Sequence, residues 1–297
     1  MLDERRPMTH LEDLAVTIRS SSSLEKLPEN VFVYLLVDHS GAPGLVTALR
    51  RRPPLRWSSL FADSKEEAAL DVAPILISVV HKFADPMERE FLRWMLRACE
   101  LSTSLTILHS TLDHDVLAKA LKKRLDVQLP DRMPVLLRYF DTRILESLLT
   151  VLTAAQSKNF SGLASRWQWL DRAGQLQVRE STQAAADGWP NNFEFDVAQQ
   201  NALIDAGQAD ALVEQMQLQA PDVCQTTTRA QLHAIAEECA AKFERLSIED
   251  IRSQSLFCLT AVHLGPEFDK QARWVDALAR VGKKQVSFEA VVAELGV

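Results

Sequence analysis

VLLRYFDTRIL, residues 135–145, joins an apolar run to a charged corner and then to the start of an apolar helical pattern. The run 135–137 is typical of a buried strand, and the apolar spacing that begins after Asp141 is typical of a helix. The Asp141 carboxylate or the Thr142 hydroxyl can accept hydrogen bonds from the free amide groups of the first helical turn. The stretch therefore predicts a strand–corner–helix junction on which an α/β domain can be built.

Two residues of this corner, Arg138 and Asp141, carry opposite charges. We predict that they form an ion pair that locks the strand to the helix, because ion pairs in such positions are more often structural than catalytic. A catalytic Asp141 would need a base, a metal ion or a phosphate-binding loop. The other candidates are Asp38 and His39, which follow an apolar strand predicted at 31–37, where open α/β folds place active-site groups.

The chain contains no motif that would complete a catalytic site. The patterns G-x-S-x-G, G-x-G-x-x-G and G-x-x-x-x-G-K-[ST] are absent, and 9 glycines in 297 residues leave little material for a phosphate cradle. His109, Asp113, His114 and Asp115 form a local cluster of candidate metal ligands. The histidines lack the spacing of zinc sites, and Asp113 is better interpreted as an acid at a helix start. We therefore expect no catalytic, cofactor-binding or metal-binding residues.

Three blocks of the sequence resemble a known family. They are VYLLVDHSGAPGL at 33–45, SLFADSKEEAALDVAPILISV at 59–79 and LRYFDTRIL at 137–145. Their order and spacing are similar to those of the type VI secretion effector adaptor (chaperone) family, long catalogued as a domain of unknown function. The agreement extends from about residue 31 to 170. Thr142 stands where the family often has proline, and either residue can begin a helix.

The resemblance implies a non-enzymatic adaptor without a cofactor. Such a protein would hold a toxic effector in the cytoplasm and help load it onto the valine–glycine repeat (VgrG-type) spike protein at the tip of the secretion apparatus. Two alternatives remain open. One is a hydrolase- or transferase-like enzyme that uses Asp38, His39 and Asp141, and the other is a structural component of the baseplate.

Acidic residues are concentrated in the C-terminal third. Residues 1–190 carry 24 acidic side chains and 24 Lys or Arg, whereas 191–297 carry 16 and 9. The lack of a basic excess argues against nucleic acid as a partner. No apolar run approaches the length of a membrane span, and the acid-containing N-terminus predicts no secretory signal. Together with four scattered cysteines, these features predict a cytoplasmic protein that binds neither nucleic acid nor membrane.

We predict two lobes. Residues 1–180 should form an α/β (α+β) lobe with a mixed sheet flanked by helices. Residues 181–195 are polar, with a glycine, a proline and two asparagines, and predict a linker. Residues 196–297 show only helical periodicity and predict a smaller, acidic, all-α lobe. Helices are predicted at 9–19, 64–72, 86–101, 116–125, 142–155, 208–219, 228–246, 248–263, 267–281 and 287–295.

Trp167 and Trp169 alternate in a strand-like segment, so both rings should point to one face of a sheet. Their burial would close the core of the α/β lobe, whereas their exposure would make a strong anchor for a partner protein. With Arg138, they are the candidate partner-binding residues. We also expect a cleft between the lobes and the acidic helical face to hold the effector, because a chaperone requires a binding groove.

Overall fold

The residues described in this computed structural model are 27–51, 55–80, 84–99 and 104–296. The chain divides into two units, Met1–Leu203 and Ile204–Val297, which we call the α/β unit and the helical unit. The helix predicted at 9–19 lies outside the described residues.

Two sheets organise the α/β unit. The strands of the large sheet are β1 Phe32–Asp38, β2 Trp57–Ser59, β3 Pro74–Val79, β4 Leu105–Ser110, β7 Arg166–Leu170 and β8 Leu176–Glu180. Their spatial order is β2–β3–β1–β4–β7–β8, and every neighbouring pair is antiparallel. The small sheet contains β5 Asp126–Gln128, β6 Pro134–Leu136 and β9 Phe193–Glu194. Here β5 pairs antiparallel with β6 and parallel with β9, so mixed pairing is confined to the small sheet.

The apolar run at 31–37 forms the centre of the large sheet, as its composition predicts. Strand β1 lies between β3 and β4, and residues 33–37 are at most 2% exposed. Successive side chains of a strand point to opposite faces. Burial of five in succession therefore means that both faces of the sheet are covered at β1, which explains why the sequence here does not alternate.

Among its described residues, the α/β unit contains five helices and the start of a sixth. They are α1 Leu45–Arg50, α2 Pro86–Ala98, α3 His114–Lys123, α4 Thr142–Val151, α5 Ala154–Ser161 and α6 Val197–Gln219. Asp85 and Asp113 cap α2 and α3, because each carboxylate accepts two backbone amides of the helix that follows it. The predicted position of Asp113 at a helix start is therefore confirmed.

Two helix predictions in this unit are wrong. The segment 64–72 forms turns and a short 3₁₀ helix, because the Ser64 hydroxyl binds the amide and carboxylate of Glu66 instead of capping a helix. The helix predicted at 142–155 is interrupted at Leu152, whose backbone is extended. Thr153 and Gln156 then form a capping box that starts α5.

Residues 181–195, which we call the strap, pack on the α/β unit. Trp189, Phe193 and Phe195 are each at most 4% exposed and belong to the same hydrophobic core as the large sheet. Strand β9 also pairs with β5. The predicted linker is corrected accordingly, since these residues are an integral part of the α/β unit. The polar composition of 181–195 predicts a linker because its three buried aromatic residues all lie in 189–195, among polar and small residues.

A buried arginine fastens the strap. The Arg124 side chain at the end of α3 has no exposed surface, and its guanidinium donates to both carboxylate oxygens of Asp187 at 2.8 and 3.2 Å. It also donates at 2.7–3.0 Å to the backbone carbonyls of Ala120, Asn159 and Phe160. A buried guanidinium is tolerated only when its donors are paired, so the strap and the helices are held in one arrangement.

The helical unit matches the predicted periodicity closely. It contains the later part of α6, followed by α7 Pro221–Gln225, α8 Arg229–Leu246, α9 Ile251–Leu264, α10 Ala272–Gly282 and α11 Phe288–Leu295. The apolar face of α8 is buried at Leu232, Ala236, Cys239 and Phe243. The predicted fold class, an α/β N-terminal part with a helical C-terminal part, is therefore confirmed.

Replacing Asp187 by alanine should lower the free energy of unfolding by about 3 kcal/mol at pH 7, because Arg124 loses its carboxylate. Burial raises the pKa of Asp187, but hydrogen bonding and charge from Arg124 outweigh this effect and hold the pKa below its usual value. The contribution of Asp187 is therefore present at neutral pH and lost as the pH falls below about 4. Urea unfolding at pH 7 and pH 3 measures both effects.

The matched control for this variant is Asp126→Ala, which removes an exposed ion pair with Lys65. The free energy of unfolding should change by less than about 1 kcal/mol in the control. Equal destabilisation by both substitutions would contradict the role assigned to the Arg124–Asp187 pair.

Candidate partner-binding groove

The corner at 137–143 joins the small sheet to α4, as predicted. Strand β6 ends at Leu136, and the Asp141 carboxylate caps α4 by accepting the Arg143 amide at 3.0 Å. The Thr142 hydroxyl donates to the carbonyl of Leu170 at 2.9 Å, which ties the first turn of α4 to the end of β7. The corner therefore fixes where α4 lies against the large sheet.

The ion pair predicted between Arg138 and Asp141 is wrong. The Asp141 carboxylate binds the Arg143 guanidinium, with 2.6 Å between Nη2 and Oδ2 and 3.0 Å between Nε and Oδ1. The Arg138 guanidinium binds Oδ2 of Asp38 at 3.2 Å and is half exposed. Only the backbone joins Arg138 to Asp141, through an amide-to-carbonyl bond of 3.0 Å. The corner is thus locked by Arg143, and Arg138 connects it to the end of β1.

The three residues of the enzymatic alternative bind different partners. Asp38 accepts the amide and the hydroxyl of Ser40 at 2.9 and 2.6 Å, besides binding Arg138. His39 Nδ1 lies 2.9 Å from the carbonyl of Leu70, and its ring has neither Asp38 nor Asp141 as a hydrogen-bonding partner. None of these three side chains is hydrogen-bonded to another of them.

Both tryptophans of β7 are buried, so they do not form the exposed anchor that was one of their two interpretations. Trp167 is 1% exposed and donates to the carbonyl of Ser161 at 3.0 Å, while Trp169 is 8% exposed and donates to Glu146 at 2.9 Å. The interpretation that they close the core is confirmed. Trp169 nevertheless reaches the surface at the edge of a groove.

His114, one of the two histidines in 109–115, has a structural role. The His114 ring lies between the hydroxyls of Ser58 and Ser78, 2.9 Å from Nε2 and 2.7 Å from Nδ1. Burial lowers the pKa of His114 and so favours the neutral ring. Within the described ranges, no group of three or more His, Cys, Asp or Glu side chains is placed to hold a metal ion.

A surface groove runs between β8 and the helices α4 and α5. Its first part has a volume of about 520 Å³ and is lined by Glu146, Leu149, Thr150, Trp169, Gln177, Val178, Arg179 and Glu180. Its second part has a volume of about 420 Å³ and is lined by Leu149, Leu152, Ala154, Ser157, Lys158, Ser161, Arg179, Glu180, Ser181 and Thr182. Because three residues line both parts, we treat them as one groove.

The groove combines apolar, hydroxyl and charged groups. Leu149 is partly buried, and Val178 is 47% exposed. Arg179 donates to the Ser157 hydroxyl at 2.7 Å, and its Nε is buried with no hydrogen-bonding partner among the described residues. Lys158 is exposed and makes no ion pair in the described part of the chain. Such a surface can bind a peptide, and the cationic side chains favour an acidic one.

Sequence reasoning did not find this groove. One wall of the groove is formed by α4 and α5. The other wall is β8, which lies at the end of the α/β lobe predicted at 1–180. The alternation in LQVRE at 176–180 is a local signal for a half-exposed strand. That β8 lies beside α4 depends on sheet order, which no local pattern gives.

The chain was compared with known families, curated proteins and solved structures. Residues 33–159 match the family model described as Domain of unknown function (DUF4123). The match begins in β1 and ends in α5, so it contains the corner and the helical wall of the groove, and it covers less than half of the chain. No curated protein and no solved structure matches the chain. Among the described residues, no helix is both long and apolar enough to cross a membrane.

Replacing Asp141 by alanine should destabilise the protein by about 2 kcal/mol, because α4 loses its N-cap and the largely buried Arg143 loses its carboxylate. Replacing Arg138 by alanine should cost less than about 1 kcal/mol, because that ion pair is half exposed. Chemical unfolding of the two variants distinguishes them. If Arg138→Ala were the more damaging change, the assignment of Arg143 as the partner that locks the corner would be refuted.

Proposed function

We propose that the protein is a non-catalytic cytoplasmic adaptor that binds a type VI secretion effector and helps load it onto the VgrG-type spike protein. The observation that carries the proposal is the family match over 33–159. It contains all three blocks that resemble the adaptor family, at 33–45, 59–79 and 137–145.

The groove supports a binding role. An adaptor must hold its effector and later release it, which calls for an accessible surface of moderate affinity. The groove is accessible along β8, and its lining offers both an apolar side chain, Leu149, and the cationic side chains of Lys158 and Arg179. We assign the effector to this groove.

A second partner requires a second surface, and the helical unit offers one. Its residues 204–297 carry 14 acidic side chains and 9 Lys or Arg. Ile204, Leu218 and Ile251 are exposed apolar residues of this unit. An acidic surface with apolar contacts favours a basic protein partner. The earlier expectation that the acidic helical face holds the effector is replaced here by the proposal that this face binds the spike protein.

The test is co-expression of the full chain with the toxin encoded beside its gene and with the spike protein. Size-exclusion chromatography should yield a stoichiometric complex with each. Lys158→Glu should weaken toxin binding at least tenfold, because it reverses the charge of an exposed cation that lines the groove. The matched control, Lys119→Glu, reverses the charge of an exposed lysine on α3 and should bind normally. Capture of neither protein by the wild-type chain would refute the adaptor proposal.

The same preparation tests the two alternatives. An enzyme would lose hydrolytic or transferase turnover in His39→Ala while still capturing the toxin. A baseplate component would co-purify in fixed stoichiometry with the assembled apparatus and would not bind the isolated toxin.

A further inference from the structure

Strand β8 is an edge of the large sheet, and its only strand neighbour in the described structure is β7. Two backbone bonds fix the pairing pattern: Ser181 donates to Ser165 at 2.8 Å, and Asp171 donates to Gln175 at 2.9 Å. In an antiparallel pair, every second residue directs its amide and carbonyl toward the partner strand. The residues between them direct these groups away from it.

This alternation determines which backbone groups of β8 are unpaired. Gln177 and Arg179 lie an even number of residues from Gln175 and Ser181, the two positions bonded to the β7 side. Their amides and carbonyls therefore point to β7. Leu176, Val178 and Glu180 therefore point theirs outward, on the side that borders the groove. Val178, at the middle of this edge, is 47% exposed.

Strand β8 has only part of the usual protection of an edge strand. Natural edge strands are commonly protected by charged side chains, proline, a bulge or a covering segment, and β8 has two charged side chains, Arg179 and Glu180. LQVRE at 176–180 has no proline, lysine or glycine, its pairing with β7 is regular, and the groove lies beside it. An unpaired edge next to an open groove is the arrangement in which an extended peptide adds to a sheet.

The charges of the groove indicate what kind of peptide fits. Glu146 binds Arg172 at 2.9 Å, and Glu180 binds Arg166 at 2.5 Å, so both carboxylates are compensated. By contrast, Arg179 has a hydroxyl partner and an unpaired Nε, and Lys158 makes no ion pair with a described residue. The uncompensated charge is thus positive.

We propose that an extended segment of the effector adds to the large sheet as a strand beside β8. The segment carries an apolar side chain that packs on Leu149 and an acidic side chain that meets Arg179 and Lys158. Five residues of β8 span about 17 Å, so the segment needs about five to seven residues. This inference rests on the proposed function for the identity of the partner and adds the mode of binding.

Backbone amide exchange measured by NMR on the full chain, with and without the toxin, tests the inference. The amides of Val178 and Glu180 should exchange at least tenfold more slowly in the complex. The amides of Gln177 and Arg179 are already bonded to β7 and should change little. Gln177 and Arg179 therefore serve as internal controls for general burial by the toxin, because they alternate with the two test positions in the same strand.

Two substitutions at one position give an independent test. Val178→Pro removes the outward amide and should weaken toxin binding at least tenfold, because edge positions tolerate proline but a proline cannot donate to an added strand. Val178→Thr keeps the amide and should bind within about threefold of wild type. Lys158→Glu should weaken binding and reduce its dependence on salt.

The outcomes separate the two proposals. A toxin that does not bind the wild-type chain overturns the proposed function, and the strand-addition inference with it. A toxin that binds while the exchange of Val178 and Glu180 stays unchanged overturns only strand addition. Slower exchange that appears with rising concentration of the chain alone would assign the edge to a second copy and would also overturn it.

Discussion

The buried guanidinium of Arg124 is the interaction on which the α/β unit most depends. It contacts the strap through Asp187 and the end of α5 through two backbone carbonyls. Its guanidinium carbon also lies 5.5 Å from the ring of Trp189, which stacks on Phe193 with 4.3 Å between ring centroids. A buried charge is tolerated only where an opposite charge and hydrogen-bond acceptors surround it. The Arg124 contacts therefore favour one position of the strap, and of the small sheet to which the strap contributes a strand.

Two sets of contacts determine the positions of the walls of the groove. One wall is positioned by the corner, where Asp141 starts α4 and Thr142 binds the end of β7. The other wall is β8, which follows β7 in a hairpin. Arg138 adds a contact across 100 residues to Asp38, at the end of the central strand. Asp38 and Asp141, which the enzymatic alternative would use for catalysis, thus make contacts that position the elements beside the groove.

Local patterns explain what the sequence could predict. The unbroken apolar run of β1, the caps at Asp85 and Asp113 and the apolar face of α8 depend on neighbours within a few residues. The strap, the partner of Arg138 and the open edge at β8 depend on which distant segments meet. Arg124 follows two lysines at a helix end and so resembles a solvated residue, although it is fully buried. Composition cannot separate these cases, because the deciding partner, Asp187, lies 63 residues away.

Along β8, the backbone groups that could bind an added strand are distinct from the side chains that would select its sequence. Outward amides and carbonyls present the same hydrogen-bonding groups whatever the side chains of an incoming strand, so they supply affinity without choice. Choice comes from the side chains opposite, such as Leu149 and Lys158 on α4 and α5. If a peptide strand adds at this edge as proposed, substitutions on two short helices would change which peptide binds without any change to the sheet, a simple evolutionary route to new specificities.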